Sequence, residues 1–438
     1  MKFVDLFAGM GGFHRALSSL GHECVFASEI DEELRDLYRQ NFRESREAVY
    51  GDVREFKNKV PKHDILCAGF PCQPFSKSGY QNGRRDRTRG TLFHEIIEIL
   101  EKHRPRFVIL ENVGNFERHN NGRTWKVVQD SLTELEYNVR GTVHVTSGGH
   151  GLISPHHLGY PHTRERFFIV ASLDKLPEDP FPRGDRQCVT VLTPLVQSTS
   201  ELTARDRVEA KLSAQQVACI DHWNRLLARI PESVELPSFP IWGDEIDARY
   251  PYSDRTPHLT PLQELRHLVR GNGIPHHPSK QDVLGLLPSY AQTRERRFPA
   301  WKVQFIRHNR QWFAEVKDYF PRAWVSKLAA FPPSLRKLEW NCKGEERDLW
   351  RHVLQFRPSG LRAKRYSSSP ALVAMTTTQI PILGPKRRFL TRVEGLRLQN
   401  FPDSHRLPES RGAAFAALGN AVHVGVVRAI AELLVPRA

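Results

Sequence analysis

Asp5-Leu6-Phe7-Ala8-Gly9-Met10-Gly11-Gly12-Phe13 is the stretch from which the architecture can be read. A strand-like run, Phe3–Phe7, enters a turn holding three glycines and leaves it in a helical pattern. Glycines at such a junction let the backbone approach a ligand closely at the carboxyl edge of a sheet. Residue 14 is His, so the full Gly-x-Gly-x-x-Gly spacing of a pyrophosphate-binding turn is absent.

Working outward, Cys24–Ser28, Asp64–Gly69, Phe107–Glu111 and Phe167–Ala171 read as further buried strands, short and rich in β-branched or aromatic residues. Glu32–Asn41, Leu92–His103 and Thr124–Leu135 read as helices. In the second of these, Leu92, Phe93, Ile96, Ile97 and Leu100 share one face. Strands alternating with helices predict an α/β fold with a parallel, doubly wound sheet over residues 1–175. After about residue 172 prolines accumulate and the alternation stops, which predicts a second, smaller, irregular α+β domain over 176–388. Order returns over 389–438: Thr391 caps a helix to Gln399 with Glu394 three residues on, Gly419-Asn420 reads as a turn, and Val424–Leu434 reads as a last helix returning to the first domain.

The 438 residues carry a net charge of +15 and a pI near 9.7, which points to an anionic partner, nucleic acid first. Residues 291–388 hold 21 Lys and Arg against 7 Asp and Glu, a net of +14, interleaved with Trp301, Trp312, Trp324, Trp340 and Trp350. That block reads as a phosphate-binding face, the alternative being an ordinary solvated basic surface. No uncharged apolar run reaches membrane-spanning length, and Asp5 interrupts the apolar start as a secretory leader would not. Cysteines 24, 67, 72, 188, 219 and 342 form no Cys-x-x-Cys pair, so neither a metal site nor a disulfide framework is expected, and a reducing cytoplasm suits them. His156, His157 and His162 read as a surface cluster rather than metal ligands.

Several short segments carry chemistry. Glu29 and Asp52 follow the second and third strands, where carboxylates can bond a ribose hydroxyl and an adenine amine; with the glycine turn they fit a nucleoside such as S-adenosylmethionine. Cys72, in Gly69-Phe70-Pro71-Cys72-Gln73-Pro74, follows the strand ending at Gly69 and is a candidate nucleophile. The other reading is a small buried hydrophobe, the usual state of a free cysteine. Residues 76–90 hold Lys77, Arg84, Arg85, Arg87 and Arg89 against Asp86, with three glycines, and read as a basic lid or as a plain surface turn. Glu111, in Glu111-Asn112-Val113, ends an apolar strand; partial desolvation raises its pKa and lets it donate to a ring nitrogen. Arg164 and Arg166 alternate along an extended segment and can hold a carboxylate, a phosphate or a base carbonyl, or else pair with Glu165.

In this order the segments resemble the DNA (cytosine-5)-methyltransferase family, particularly its prokaryotic restriction–modification members. The resemblance covers residues 1–172 and about 389–438. It implies S-adenosylmethionine as methyl donor, with Phe7, Gly9, Gly11, Gly12, Glu29, Ile30, Asp52, Val53, Pro71, Leu92 and Asn420 holding it. It implies Cys72, Glu111, Asn112, Arg164 and Arg166 as the catalytic set. Ser76, Lys77, Ser78, Arg84, Arg85, Arg87 and Arg89 would touch double-stranded DNA, with target recognition in 176–388. It also implies a monomer, with a cognate endonuclease as a conceivable partner. A branch of the family acts on tRNA, and a catalytically silent DNA-binding protein is a further alternative. Two departures stand out: His162 occupies a position usually Gln, and His423 one that is often Pro.

Overall fold

A computed structural model describes residues 1–43, 49–71, 91–145, 150–185, 188–269, 277–373 and 376–435. The chain divides into two compact units. One comprises Met1–Glu209, Ser367–Thr377 and Leu390–Ala438; the other comprises Ala210–Tyr366 and Thr378–Phe389.

The first unit is a doubly wound α/β structure. Strands β1 (Lys2–Leu6), β2 (Glu23–Ser28), β3 (Val49–Tyr50), β4 (Ile65–Gly69), β5 (Phe107–Val113), β6 (Asn138–Gly141) and β8 (Arg166–Ser172) form one sheet in the order β3-β2-β1-β4-β5-β8-β6. The short strand β7 (His162–Thr163) lies apart and pairs with Ser369–Pro370. The order reverses at β1, so ligands are expected at the carboxyl ends of β1 and β4. The central strands are buried along nearly their whole length, as strands covered on both faces must be. On one face Val4, Leu6, Leu66, Ala68, Val108 and Leu110 pack into a core with α4 (Leu92–His103) and α5 (Arg123–Glu134). On the other, Phe3 meets His14 of α1 (Gly12–Ser18) edge-on at 5.5 Å. Helix α2 (Glu32–Phe42) begins where the Asp31 side chain accepts from the Leu34 N–H at 3.0 Å, and the single turn α3 (Val53–Phe56) where Asp52 accepts from Arg54 at 2.9 Å.

Strand alternation predicted an all-parallel sheet, and β1–β5 are parallel. Strand β8, however, runs antiparallel to both β5 and β6. A parallel return needs a crossover helix, and among the described residues the link from Gly141 to Arg166 contains none longer than the 3-10 turn Pro155–Leu158. This reversal brings the beginning of β8 to the edge where the parallel strands end.

The C-terminal segment adds α6 (Arg392–Leu398), α7 (Arg411–Asn420) and α8 (Val424–Leu434). Thr391 and Glu394 form the reciprocal cap that their spacing predicted. Gly419 and Asn420, expected in a turn, instead lie in the last turn of α7, because the apolar run from Ala413 to Leu418 continues the helix to the break at Ala421–His423. Among the described residues Arg411–Leu434 has the length and apolar composition to cross a membrane, but that break divides it into α7 and α8 and most of its apolar part is buried.

The second unit has several short helices and a six-stranded mixed sheet, in the order Arg388–Phe389, Ile382–Leu383, Val353–Arg357, Gly360–Lys364, Lys337–Asn341, Ile241–Trp242. Its interleaved tryptophans do not form a binding face. Trp312, Trp324, Trp340 and Trp350 are buried, and only Trp301, 55% exposed, faces solvent. Large aromatics bury more apolar area than any other side chain, so they build the core of this unit.

Unit one closes where the C-terminal segment meets the glycine turn. A Cβ at Gly12 would lie 2.5 Å from Val422 Cγ2 and 2.8 Å from the Val422 carbonyl oxygen. Gly12→Ala should therefore destabilise the protein by about 1–3 kcal/mol through overpacking. Urea unfolding measures it, and an unchanged midpoint would show that this contact is loose.

Candidate active site

The turn after β1 is held from several directions. The N–H groups of Ala8 and Gly9 donate to the Ser28 carbonyl at 2.9 Å and to Glu29 Oε2 at 2.8 Å. The Met10 carbonyl lies 3.0 Å from the ring Nε2 of His405, almost four hundred residues along the chain. Phe7 sits at φ +55°, an uncommon conformation for a bulky side chain that concentrates at ligand sites. Gly11, at φ +79°, could carry no Cβ without overlapping the rings of Phe42 and Tyr38, whereas beside Gly9 there is open space.

Glu29 directly follows β2, with one oxygen on Gly9 and the other on the Asp31 N–H at 2.9 Å, which leaves each oxygen a spare lone pair. Ile30 follows it and is 68% exposed. A carboxylate, a bare apolar side chain and open backbone at a glycine together suit an adenosine group, with the hydroxyls on Glu29 and the base against Ile30. Asp52 is less free. The Arg54 guanidinium holds both its oxygens, with Nε at 3.0 and 2.9 Å, and keeps its carboxyl below the usual range. Val53 is buried beneath it, Leu92 is half-buried at the start of α4, and Pro71 and Asn420 are exposed.

Glu111 lies one strand over from β1's neighbour. In the register of β4 and β5 it faces Gly69, and its Oε2 lies 3.8 Å from where a Cβ on Gly69 would be. Its carboxylate is buried, and Arg166 Nε stands 3.0 Å from Oε1. The guanidinium N–H is not aimed along that line, so charge rather than a well-aligned hydrogen bond holds the pair. Burial raises the Glu111 pKa; the charges of Arg166 and then Arg164 pull against it. Arg164 is buried too, and burial pulls its pKa down to about 9. Its Nη2 donates to the Ala421 carbonyl at 3.0 Å. Asn112 Nδ2 donates to the Phe70 carbonyl at 2.9 Å, tying the end of β5 to the segment that leads into residue 72.

Glu111, Asn112, Arg164 and Arg166 thus stand together at the sheet edge, and Phe7, Gly9, Gly11, Gly12, Glu29 and Ile30 at the same edge on β1 and β2. Cys72, Ser76, Lys77, Ser78, Arg84, Arg85, Arg87 and Arg89 lie outside the described residues. His162, expected at the surface, is fully buried, because β7 carries it inward by pairing with Ser369–Pro370. His423, from which little effect was expected, caps α8 by accepting from the Val426 N–H at 3.3 Å. Sequence reasoning placed Gln399 at the end of the capped helix and Val422 just after the Gly419-Asn420 turn, but gave neither a role. Val422 packs against both Gly12 and Gly69, and Gln399 Nε2 donates to the Leu418 and Ala421 carbonyls. The bare glycines were the one signal for Val422, since a missing Cβ marks a close approach.

A sequence model described as C-5 cytosine-specific DNA methylase matches residues 1–435. The chain belongs to that family. "Type II methyltransferase M.AluI" of Cellulosimicrobium cellulans is 34% identical over 98% of this chain and 91% of its own length. "Type II methyltransferase M.HgiCI" of Herpetosiphon aurantiacus is 29% identical over 98% and 96%. "Type II methyltransferase M.HhaI" of Haemophilus parahaemolyticus is 43% identical over 39% of this chain and 48% of its own length. The resemblance read from short motifs therefore extends across nearly the whole chain. This C-5 cytosine methylase is a DNA-acting methyltransferase, and its family implies S-adenosylmethionine as the methyl donor.

The raised Glu111 pKa has a stability consequence. A carboxyl whose folded value lies above its unfolded value, near 4.3, stabilises the fold fully below that value and loses the contribution as pH rises through the folded one. Glu111→Gln removes this dependence. As pH rises above about 4.3 the variant should gain stability relative to the parent in urea titrations. Parallel curves above that pH would contradict the shift.

Proposed function

We propose that this methylase modifies carbon 5 of a cytosine within a specific duplex sequence, after the base has been turned out of the helix, through a covalent bond from Cys72 to carbon 6. Carbon 5 of an aromatic pyrimidine is a poor nucleophile. Addition of the Cys72 thiolate at carbon 6 breaks the conjugation, and the electron pair of the C5–C6 double bond moves to carbon 5. A proton or short hydrogen bond from Glu111 at N3 favours the addition by neutralising the charge that the ring takes up. S-adenosylmethionine, which Glu29, Ile30 and the glycine turn would hold, would supply an electrophilic methyl on a positively charged sulfur; the carbon-5 electron pair forms the bond to that methyl as its bond to sulfur breaks, and the sulfur leaves as the neutral thioether of S-adenosylhomocysteine. Carbon 5 then gives up its proton to a base, which can be water. The bond from Sγ to carbon 6 breaks, its electron pair returns as thiolate, and Glu111 takes back the N3 proton. Arg166 and Arg164 keep the carboxyl oriented and can meet the cytosine carbonyl; Asn112 holds the chain before Cys72.

The observation that carries this reading is the Glu111 carboxyl itself. It is buried, shifted toward its protonated form and flanked by two arginines at the edge where β4 runs toward Cys72. Turning the base out costs a few kcal/mol, which phosphate contacts from the basic segment 76–90 and from 291–388 would offset. The protein works as a monomer in this reading and shares its target with a cognate restriction endonuclease.

Bisulfite sequencing of DNA from an expressing host should show 5-methylcytosine at one short sequence, with tRNA from the same cells unmodified. Cys72→Ala should keep S-adenosylmethionine and DNA binding yet form no 5-methylcytosine, and only the parent should be trapped on a 5-fluorocytosine duplex. Normal turnover by Cys72→Ala would remove the mechanism. Glu111→Gln should lower kcat by roughly 10²–10⁴-fold while DNA binding persists.

A further inference from the structure

Behind Arg164 lies a group of buried polar atoms that the reaction described above does not use. His162, Arg164, Gln399 and His423 are all buried. The rings of His162 and His423 lie 6.1 Å apart, and Tyr160 packs on His423 at 4.7 Å. Arg164 Nη2 and Gln399 Nε2 share the Ala421 carbonyl, at 3.0 and 3.3 Å, which uses both lone pairs of that oxygen. The Leu398 carbonyl lies toward both imidazoles, but neither ring nitrogen reaches it in hydrogen-bonding geometry.

Arg164 Nε and Nη1 are left without an acceptor. Gln399 Oε1, both ring nitrogens of His162 and Nε2 of His423 are left without a partner. Gln399 Oε1 and the unprotonated ring nitrogen of His162 are acceptors that the guanidinium donors do not touch directly, whereas Nε2 of a neutral His423 is a donor, because its Nδ1 accepts from the Val426 N–H. A marginally stable fold does not tolerate so many orphaned atoms in one place, and one or two buried waters are the ordinary solution. His423 uses its acceptor nitrogen on the Val426 N–H, and each ring has such a nitrogen only while it is neutral. Burial and the neighbouring guanidinium charges hold both in that state, His423 with a pKa of about 3.

We propose that His162 and His423 are positioning residues for the transfer reaction: through buried water held by a ring nitrogen of His162 as acceptor and by the Nε2–H of His423 as donor, they fix the Arg164 guanidinium, which with Arg166 orients the Glu111 carboxyl. The inference rests on the proposed role of Glu111. It assigns a purpose to two imidazoles that contact neither the turn at Gly9–Gly12 nor Glu111 by any hydrogen bond or ion pair in the structure.

Three variants test it in the full chain. His162→Leu keeps bulk and removes the acceptor. His162→Gln keeps an acceptor. His423→Asn keeps the α8 cap, since Asn is a good N-cap residue, but withdraws the second ring nitrogen. His162→Leu and His423→Asn should lower kcat by roughly ten- to a hundredfold, the scale of a slightly misplaced catalytic group. The KM for S-adenosylmethionine and DNA binding should stay as in the parent, and trapping on a 5-fluorocytosine duplex should slow in step with kcat. His162→Gln should recover most of the rate. A crystal structure of the parent should show ordered water between Arg164 and both rings. Parental kcat in His162→Leu, or His162→Gln as slow as His162→Leu, or a dry cluster, would overturn the proposal. If His162→Leu fails to fold, His423→Asn decides alone. A parent that makes no 5-methylcytosine would instead count against the proposed function, and the ordered water in the crystal structure would still read the cluster.

Discussion

The catalytic unit depends on one close packing: Val422 wedged between Gly12 and Gly69, with the Ala421 carbonyl beside it gripping Arg164. Gly12 opens α1 below the cofactor turn, and Gly69 ends the strand that runs toward Cys72. A single side chain from the far end of the sequence thus sets the spacing of the two edges that the proposed reaction uses. His405 adds a second grip on the same turn through the Met10 carbonyl. The interior is packed to near-crystalline density, so such contacts transmit displacements rather than absorb them.

Electrostatics at the edge follow from that packing. Glu111 is buried because Gly69 leaves room beside it and because both faces of β5 are covered. A lone buried carboxylate would be strongly disfavoured; two guanidinium groups make it tolerable, and their charges pull against the upward shift that burial causes. Arg166 reaches Glu111 only because β8 runs antiparallel, so that its first residue, and not its last, lies at the reactive edge. Arg164, two residues earlier, is drawn the other way, into the C-terminal segment. Alternating arginines on one extended segment therefore serve the same carboxyl from different supports.

The second unit shows the limits of reading charge and aromatics together. Its basic excess is real, but four of the five tryptophans counted with it form the core, and a buried Glu245, paired with Arg310 at 2.8 Å and bonded by Tyr290 at 2.6 Å, anchors the region around them. Composition cannot tell an aromatic that packs from one that binds, because both follow from the same apolar area.

Local pattern by itself determined a good deal: the strands at Cys24–Ser28, Asp64–Gly69 and Phe107–Glu111 to within a residue or two, the helices Leu92–His103 and Val424–Leu434, the Thr391–Glu394 cap and the positions of Glu111 and the two arginines. These are features whose physics is contained in a few neighbouring residues: periodicity, caps and glycine turns. Only tertiary structure decided that β8 is antiparallel, that Gly419-Asn420 is helical, that His162 is buried against His423, and that Val422 and Gln399 belong to the site. Each of these turns on contacts between residues far apart in the chain, some more than two hundred positions, and no periodicity within a segment records which distant side chain will fill the space it leaves.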